Sequence, residues 1–136
     1  MRAIEVSEQI GGAQFDEVIE LGALTVRELL EKFDQKPWAE ESRTSQETEL
    51  CAPTLSISDS STDEMFWVSP YLSGEKLYFV NEYRYRLRQP TILSKLFAKT
   101  HKSPRTSELT LDQARDAIEH FARGNHEELL VLVTST

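Results

Sequence analysis

The sequence predicts an α+β fold: an antiparallel β-meander sheet of about four to six strands packed against two or three helices, mostly on one face. Two observations carry this expectation. Three strand-like runs, at 54–58, 64–69 and 77–87, follow one another with only turn chemistry between them, which is the spacing of a β-meander. Two amphipathic helices, each opened by a capping box, lie on either side of those runs in the chain. The chain of 136 residues reads as a single α+β domain over 1–136. At that size it buries roughly two-thirds of its unfolded surface and needs no covalent staple.

The elements follow in order. Residues 2–6, RAIEV, alternate weakly as a strand does; Gly11-Gly12 breaks the chain, and 15–21, FDEVIEL, is placed as the return strand of a hairpin. Thr25 and Glu28 then stand three apart, so each side chain satisfies the other's orphan backbone N–H. Leu24 and Leu29 occupy hydrophobic-staple positions, and Val26, Leu29, Leu30 and Phe33 give one apolar helical face, ended by Pro37. Residues 38–52 form a polar, acidic connector, a loop or a weak helix. The meander comes next, with Ser/Asp-rich chemistry in its first turn and Gly74 placed for a positive φ in its second.

Pro90 interrupts the chain; 91–99, TILSKLFAK, is a short amphipathic piece read as helix, and 100–108 is a basic polar loop. Thr110 with Gln113 caps a final helix whose buried face is Ala114, Ala117, Ile118 and Phe121, and Gly124 suits the left-handed position that ends it. The closing run 128–134, ELLVLVT, is apolar and continuous, and is read as a buried strand, with a final helical turn as the alternative.

Charge is unevenly distributed. The net value of −8 divides into −11 over residues 1–75 and +3 over 76–136. Between Arg84 and Arg105 there are seven basic residues and no acidic one. The stretch NEYRYRLRQP alternates Tyr83, Tyr85 and Leu87 with Arg84, Arg86 and Arg88. Basic residues interleaved with aromatics are a nucleic-acid signature when the aromatics are free to stack on bases. Here the tyrosines share the face of Leu77 and Phe79, which places them in the core. The arginines then lie on the solvated face, balanced by acids on neighbouring strands such as Glu64. Nucleic acid is therefore an unfavoured partner.

Motifs that carry catalysis are lacking in the sequence. The five glycines fit no phosphate loop. His101, His120 and His126 lack metal-ligand spacing, and surface histidines near a helix C-terminus account for the latter two. Cys51, the single cysteine, reads as a structural thiol and permits no internal disulfide. Asp112 and Asp116 sit near a helix N-terminus, where they complement its dipole. The expectation is a non-enzyme with no cofactor and no metal. No secretory h-region or membrane-length apolar run is visible, so a cytoplasmic protein without membrane contact is expected.

The succession FDEVIELGALTVRELLEKF, PTLSISDSSTDEMFWVSPYLSGEKLYFV and ELTLDQARDAIEHFARGNHEELLVLV resembles bacterial immunity proteins of polymorphic-toxin and contact-dependent inhibition systems. It resembles in particular a small α+β immunity family in which a helix precedes an antiparallel meander. There a helix of the type L-[ST]-x-x-Q-A, with a Phe and a Gly-containing end, closes the domain. Leu109 to Ala114, Phe121 and Gly124 carry the match, together with the strands 54–58, 64–68 and 77–80.

The resemblance implies a cytoplasmic inhibitor that blocks a cognate toxin domain. Many such toxins act on nucleic acid through basic clefts, so acidic side chains would stand in for phosphates. The contact surface expected on that basis is Asp59, Asp63 and Glu64 at one hairpin tip, with Trp67 and Tyr71 as aromatic anchors. The alternatives are a nucleic-acid-binding or regulatory module using Arg84, Arg86 and Arg88, a secretion chaperone or adaptor, and a small-ligand or enzymatic domain.

Overall fold

A computed structural model describes residues 4–12, 18–49, 52–86, 101–102 and 108–134. The strands are β1 (Glu5–Gln9), β2 (Ile19–Ala23), β3 (Thr54–Asp59), β4 (Glu64–Ser73), β5 (Lys76–Arg86) and β6 (His101–Lys102). The helices are α1 (Val26–Gln35), α2 (Trp38–Thr48), α3 (Leu111–Arg123) and α4 (His126–Thr134). The sheet runs β2-β1-β3-β4-β5-β6, and every pair is antiparallel. The fold is α+β, as predicted.

Register decides which side chains share a face. Val6, Ile57, Phe66 and Tyr83 lie in one row across β1, β3, β4 and β5, and Glu8, Leu55, Val68 and Asn81 lie in the next. These rows face the helices. Phe33 of α1 and Trp38 of α2 meet Phe79 at ring separations of 5.8 and 5.2 Å. Phe121 of α3 meets Phe66 and Tyr83 at 6.3 and 6.0 Å, and His126 of α4 meets Tyr83 at 5.6 Å. All four helices therefore reach the same face of the sheet. Such a face alternates inward apolar with outward polar side chains.

Local chemistry sets the helix ends. Both predicted capping boxes form, with Glu28 N–H on Thr25 Oγ1 at 3.1 Å and Gln113 N–H on Thr110 Oγ1 at 3.2 Å. Gly124 takes φ 76° at the end of α3, and its N–H bonds back to the helix carbonyls.

Two open points are decided. Of the loop or weak helix expected after Pro37, the structure has the helix α2. Its inward side carries Trp38, Glu41, Ser42 and Ser45, so small polar residues occupy positions where apolar periodicity would have announced a helix. The segment 128–134 is helix, not strand, which brings the helices to four among the described residues. Leu129 and Val133, four apart, are buried, while Val131 between them is 66% exposed. A strand would have placed all three on one face. The predicted helix at 91–99 and Cys51 lie outside the described residues.

Candidate interaction surface

The β3–β4 hairpin gathers the three acids singled out from sequence, but gives them different surroundings. Asp59 ends β3 buried, and its Oδ1 accepts from Ser61 N–H at 2.9 Å and Ser61 Oγ at 2.6 Å. This side-chain-to-backbone bond closes the turn. Asp63 is exposed and takes φ 56°, a left-handed position that Asp tolerates better than most residues. Glu64 opens β4 buried, and Tyr83 Oη donates to its Oε2 at 2.9 Å.

Tyr83 Oη also lies 2.7 Å from His126 Nδ1. With the phenol proton on Glu64, a proton on Nδ1 of His126 completes the chain Glu64–Tyr83–His126. The Tyr85 ring stands edge-on to His126 at 4.8 Å, and burial, followed by the Glu127 charge, pushes the Tyr85 phenol up. His126 is thus a half-buried residue in the first turn of α4, not a surface histidine at a helix C-terminus. Sequence could not signal this contact, because 43 residues separate Tyr83 and His126.

A cleft of about 550 Å³ opens at this end of the sheet, lined by Ser58, Asp59, Asp63, Glu64, Met65 and Arg84. Arg84 is half exposed. It pairs with Glu82, two residues back on its own strand, at 3.2 Å, rather than with Glu64. Glu82 Oε1 also accepts from Trp67 Nε1 at 3.1 Å. The backbone of Arg86 pairs with His101, and Arg88 lies outside the described residues. Tyr83, at 0% exposure, is core, so its ring is withdrawn from any stacking on bases.

Trp67 and Tyr71 share the sheet face that points away from the helices, alternating with the inward Phe66, Val68 and Pro70. Both are half-buried. Tyr71 packs on Tyr78 at 5.8 Å and donates its hydroxyl to Glu108. That hydrogen bond, with burial and the carboxylate's charge, pushes the Tyr71 phenol up to about 12. Val80, exposed on the same face, lies beside Trp67 and Ser69 in a shallow depression. Together these side chains join the hairpin cleft to an aromatic surface.

A second charged cluster was not visible in the sequence. Lys36, with 3% of its side chain exposed, places Nζ 3.1 Å from Glu8 and 3.0 Å from Glu41. Lys32 holds the other Glu8 oxygen at 3.0 Å, and Gly11 N–H donates to Glu41 at 2.7 Å. A Cβ at Gly11 would run into the Glu41 carbonyl, so a glycine is needed for this approach. Burial pushes the Glu8 carboxyl up, but the hydrogen bonds and charges of Lys32 and Lys36 outweigh it and hold Glu8 below the usual range. Glu41, one of the acids of the polar connector, is buried inside the fold. The cluster ties β1, α1 and α2 together.

Among the described residues, no group of three or more His, Cys, Asp and Glu side chains is placed to hold a metal ion. No described helix is long and apolar enough to cross a membrane. No family model, curated protein or solved structure matches the chain.

Proposed function

We propose that this chain is a toxin-neutralising immunity protein, a non-catalytic inhibitor that binds a cognate toxin domain in the cytoplasm and blocks it. The observation that carries the reading is the junction of the acidic hairpin cleft with an outward aromatic sheet face. Asp63 stands exposed at the tip, and Trp67 and Tyr71 stand on the adjoining face. Aromatic anchors beside a charged rim are the composition of protein-binding surfaces. Net charge of −8 favours a basic partner and raises its association rate. The sequence resemblance to immunity proteins supplies the partner class.

Asp63 is the residue for direct charge contact in this proposal. Asp59 and Glu64 shape the hairpin behind it through their bonds to Ser61 and Tyr83. Trp67 and Tyr71 supply apolar area, each with its polar atom already bonded to a carboxylate.

The test is a pull-down with the tagged chain from a lysate of its source cells, washed at low and then high salt, with bound protein and nucleic acid both identified. One toxin domain, retained at high salt and inactive while bound, is the expected result. Asp63→Lys together with Trp67→Ala should release it. Recovery of nucleic acid that washes off with salt would overturn the proposal and turn attention to Arg84.

A further inference from the structure

A second concavity lies far from the hairpin in chain and in composition, where α1, α2 and the start of α3 meet the beginning of β5. Its volume is about 480 Å³, within the range of small-molecule sites. Phe33, Trp38 and Leu77 form its apolar base. The Trp38 indole is fixed there: Nε1–H donates to the Phe33 carbonyl at 3.0 Å, and the ring packs edge-on to Phe79 at 5.2 Å. The base is therefore preformed and does not require ligand to order it.

The two walls match each other. On α2, Ala39 and Arg43 stand one helical turn apart; on α3, Leu111 and Arg115 do the same. Leu111 is 45% exposed and adds apolar surface to its wall. Each wall also brings one guanidinium. Asp34 holds Arg115 as a fork, at 2.9 Å to Nε and 3.1 Å to Nη2, which leaves its Nη1 donors outside that pair. Arg43 makes no ion pair among the described residues. Lys36 also lines the groove, but Glu8 and Glu41 neutralise it. The remaining acids, Glu40 and Asp112, stand in the first turns of α2 and α3, where they complement the helix N-termini.

We propose that this groove binds a small molecule joining an aromatic or compact aliphatic body to one carboxylate or related anionic group. The body lies on Phe33, Trp38, Leu77 and Leu111. The anion lies between Arg43 and Arg115, where guanidinium donors give short, charge-assisted hydrogen bonds. The proposal is independent of toxin binding, since the hairpin cleft and the groove share no residue.

The probe is 1-anilinonaphthalene-8-sulfonate, compared with the neutral N-phenyl-1-naphthylamine, which has the same rings without the anion. The chain has two tryptophans, so titration of Trp67→Phe leaves Trp38 as the reporter through energy transfer to the bound probe. The expected result is one saturable site, with the sulfonate bound more tightly than the neutral compound. Arg43→Gln should weaken the sulfonate roughly tenfold and leave the neutral probe unchanged. Leu111→Asp should weaken both. Both substitutions are on exposed positions, and unchanged urea midpoints would verify that the fold is intact. Absence of saturable binding, equal affinity for the two probes, or binding indifferent to Arg43→Gln and Leu111→Asp would each overturn the proposal.

Discussion

Replacing Lys36 with Met tests the buried charge cluster most directly. The methionine side chain keeps much of the apolar stem and removes only the ammonium. In the native protein that ammonium meets Glu8 at 3.1 Å and Glu41 at 3.0 Å, and 3% of the lysine side chain is exposed. After the change, Glu8 still has Lys32 at 3.0 Å. Glu41 keeps the Gly11 N–H at 2.7 Å but loses the cation beside it. Breaking a buried pair from one side costs about 3–5 kcal/mol, because a charge is left uncompensated. The partners that remain place Lys36→Met near 3 kcal/mol, the lower end of that range.

For a chain of this length that corresponds to a fall in Tm of roughly 10 °C. The assay is urea unfolding followed by tryptophan fluorescence, with Trp38 beside the lysine as a local reporter. Adding Glu41→Gln should recover at least half of the loss, since Glu8 still pairs with Lys32 and no buried charge then lacks a counter-ion. This non-additivity measures the coupling. A cost for Lys36→Met below about 1 kcal/mol would contradict this account, for it would show the cluster to be as well solvated as a surface ion pair.

The same cluster sets an acid limit. Glu8 is held below its unfolded value of 4.5 in the native state, so the unfolded chain takes up its proton first as pH falls. The stability it contributes is full above 4.5 and is lost as pH drops through the lower native value; the slope of urea midpoint against pH between about 5 and 3 should flatten in Glu8→Gln. Asn81 is 1% exposed, and neither its side-chain nitrogen nor its oxygen has a hydrogen-bond partner among the described residues. Asn81→Leu should therefore stabilise by about 1–2 kcal/mol in urea unfolding, and a loss would show that the amide has a partner. Thr110→Ala removes one half of the α3 capping box and should cost about 1 kcal/mol by the same assay, with Thr110→Ser close to wild type.

Features that contiguous residues decide could be read directly from the chain. The capping boxes at Thr25 and Thr110 join residues three apart, and the left-handed ends at Gly74 and Gly124 depend on a single residue's freedom at positive φ. The meander was legible because period-two alternation and short turns leave little else for residues 54–86 to form. The inward tyrosine at 83 and the outward Arg84 follow from that period alone.

Tertiary structure decided the rest. The pattern left α2 open between loop and weak helix because Ser42, Ser45 and Glu41 occupy its inward side. A serine pair and a carboxylate do not look like a buried face until Lys36 is known to stand against Glu41. The run at the end of α4 was ambiguous because continuous apolar sequence has no period, and packing of Leu129 and Val133 made it helix. The candidate site divides in the same way. Turn chemistry placed Asp59, Asp63 and Glu64 together at a hairpin. Only the register of β4 on β5 brought Tyr83 to Glu64 across 19 residues, and only the fold of α4 brought His126 to Tyr83 across 43. Local hydrogen bonds are encoded by neighbours in the chain, whereas the partner of a buried charge is chosen by how distant elements pack.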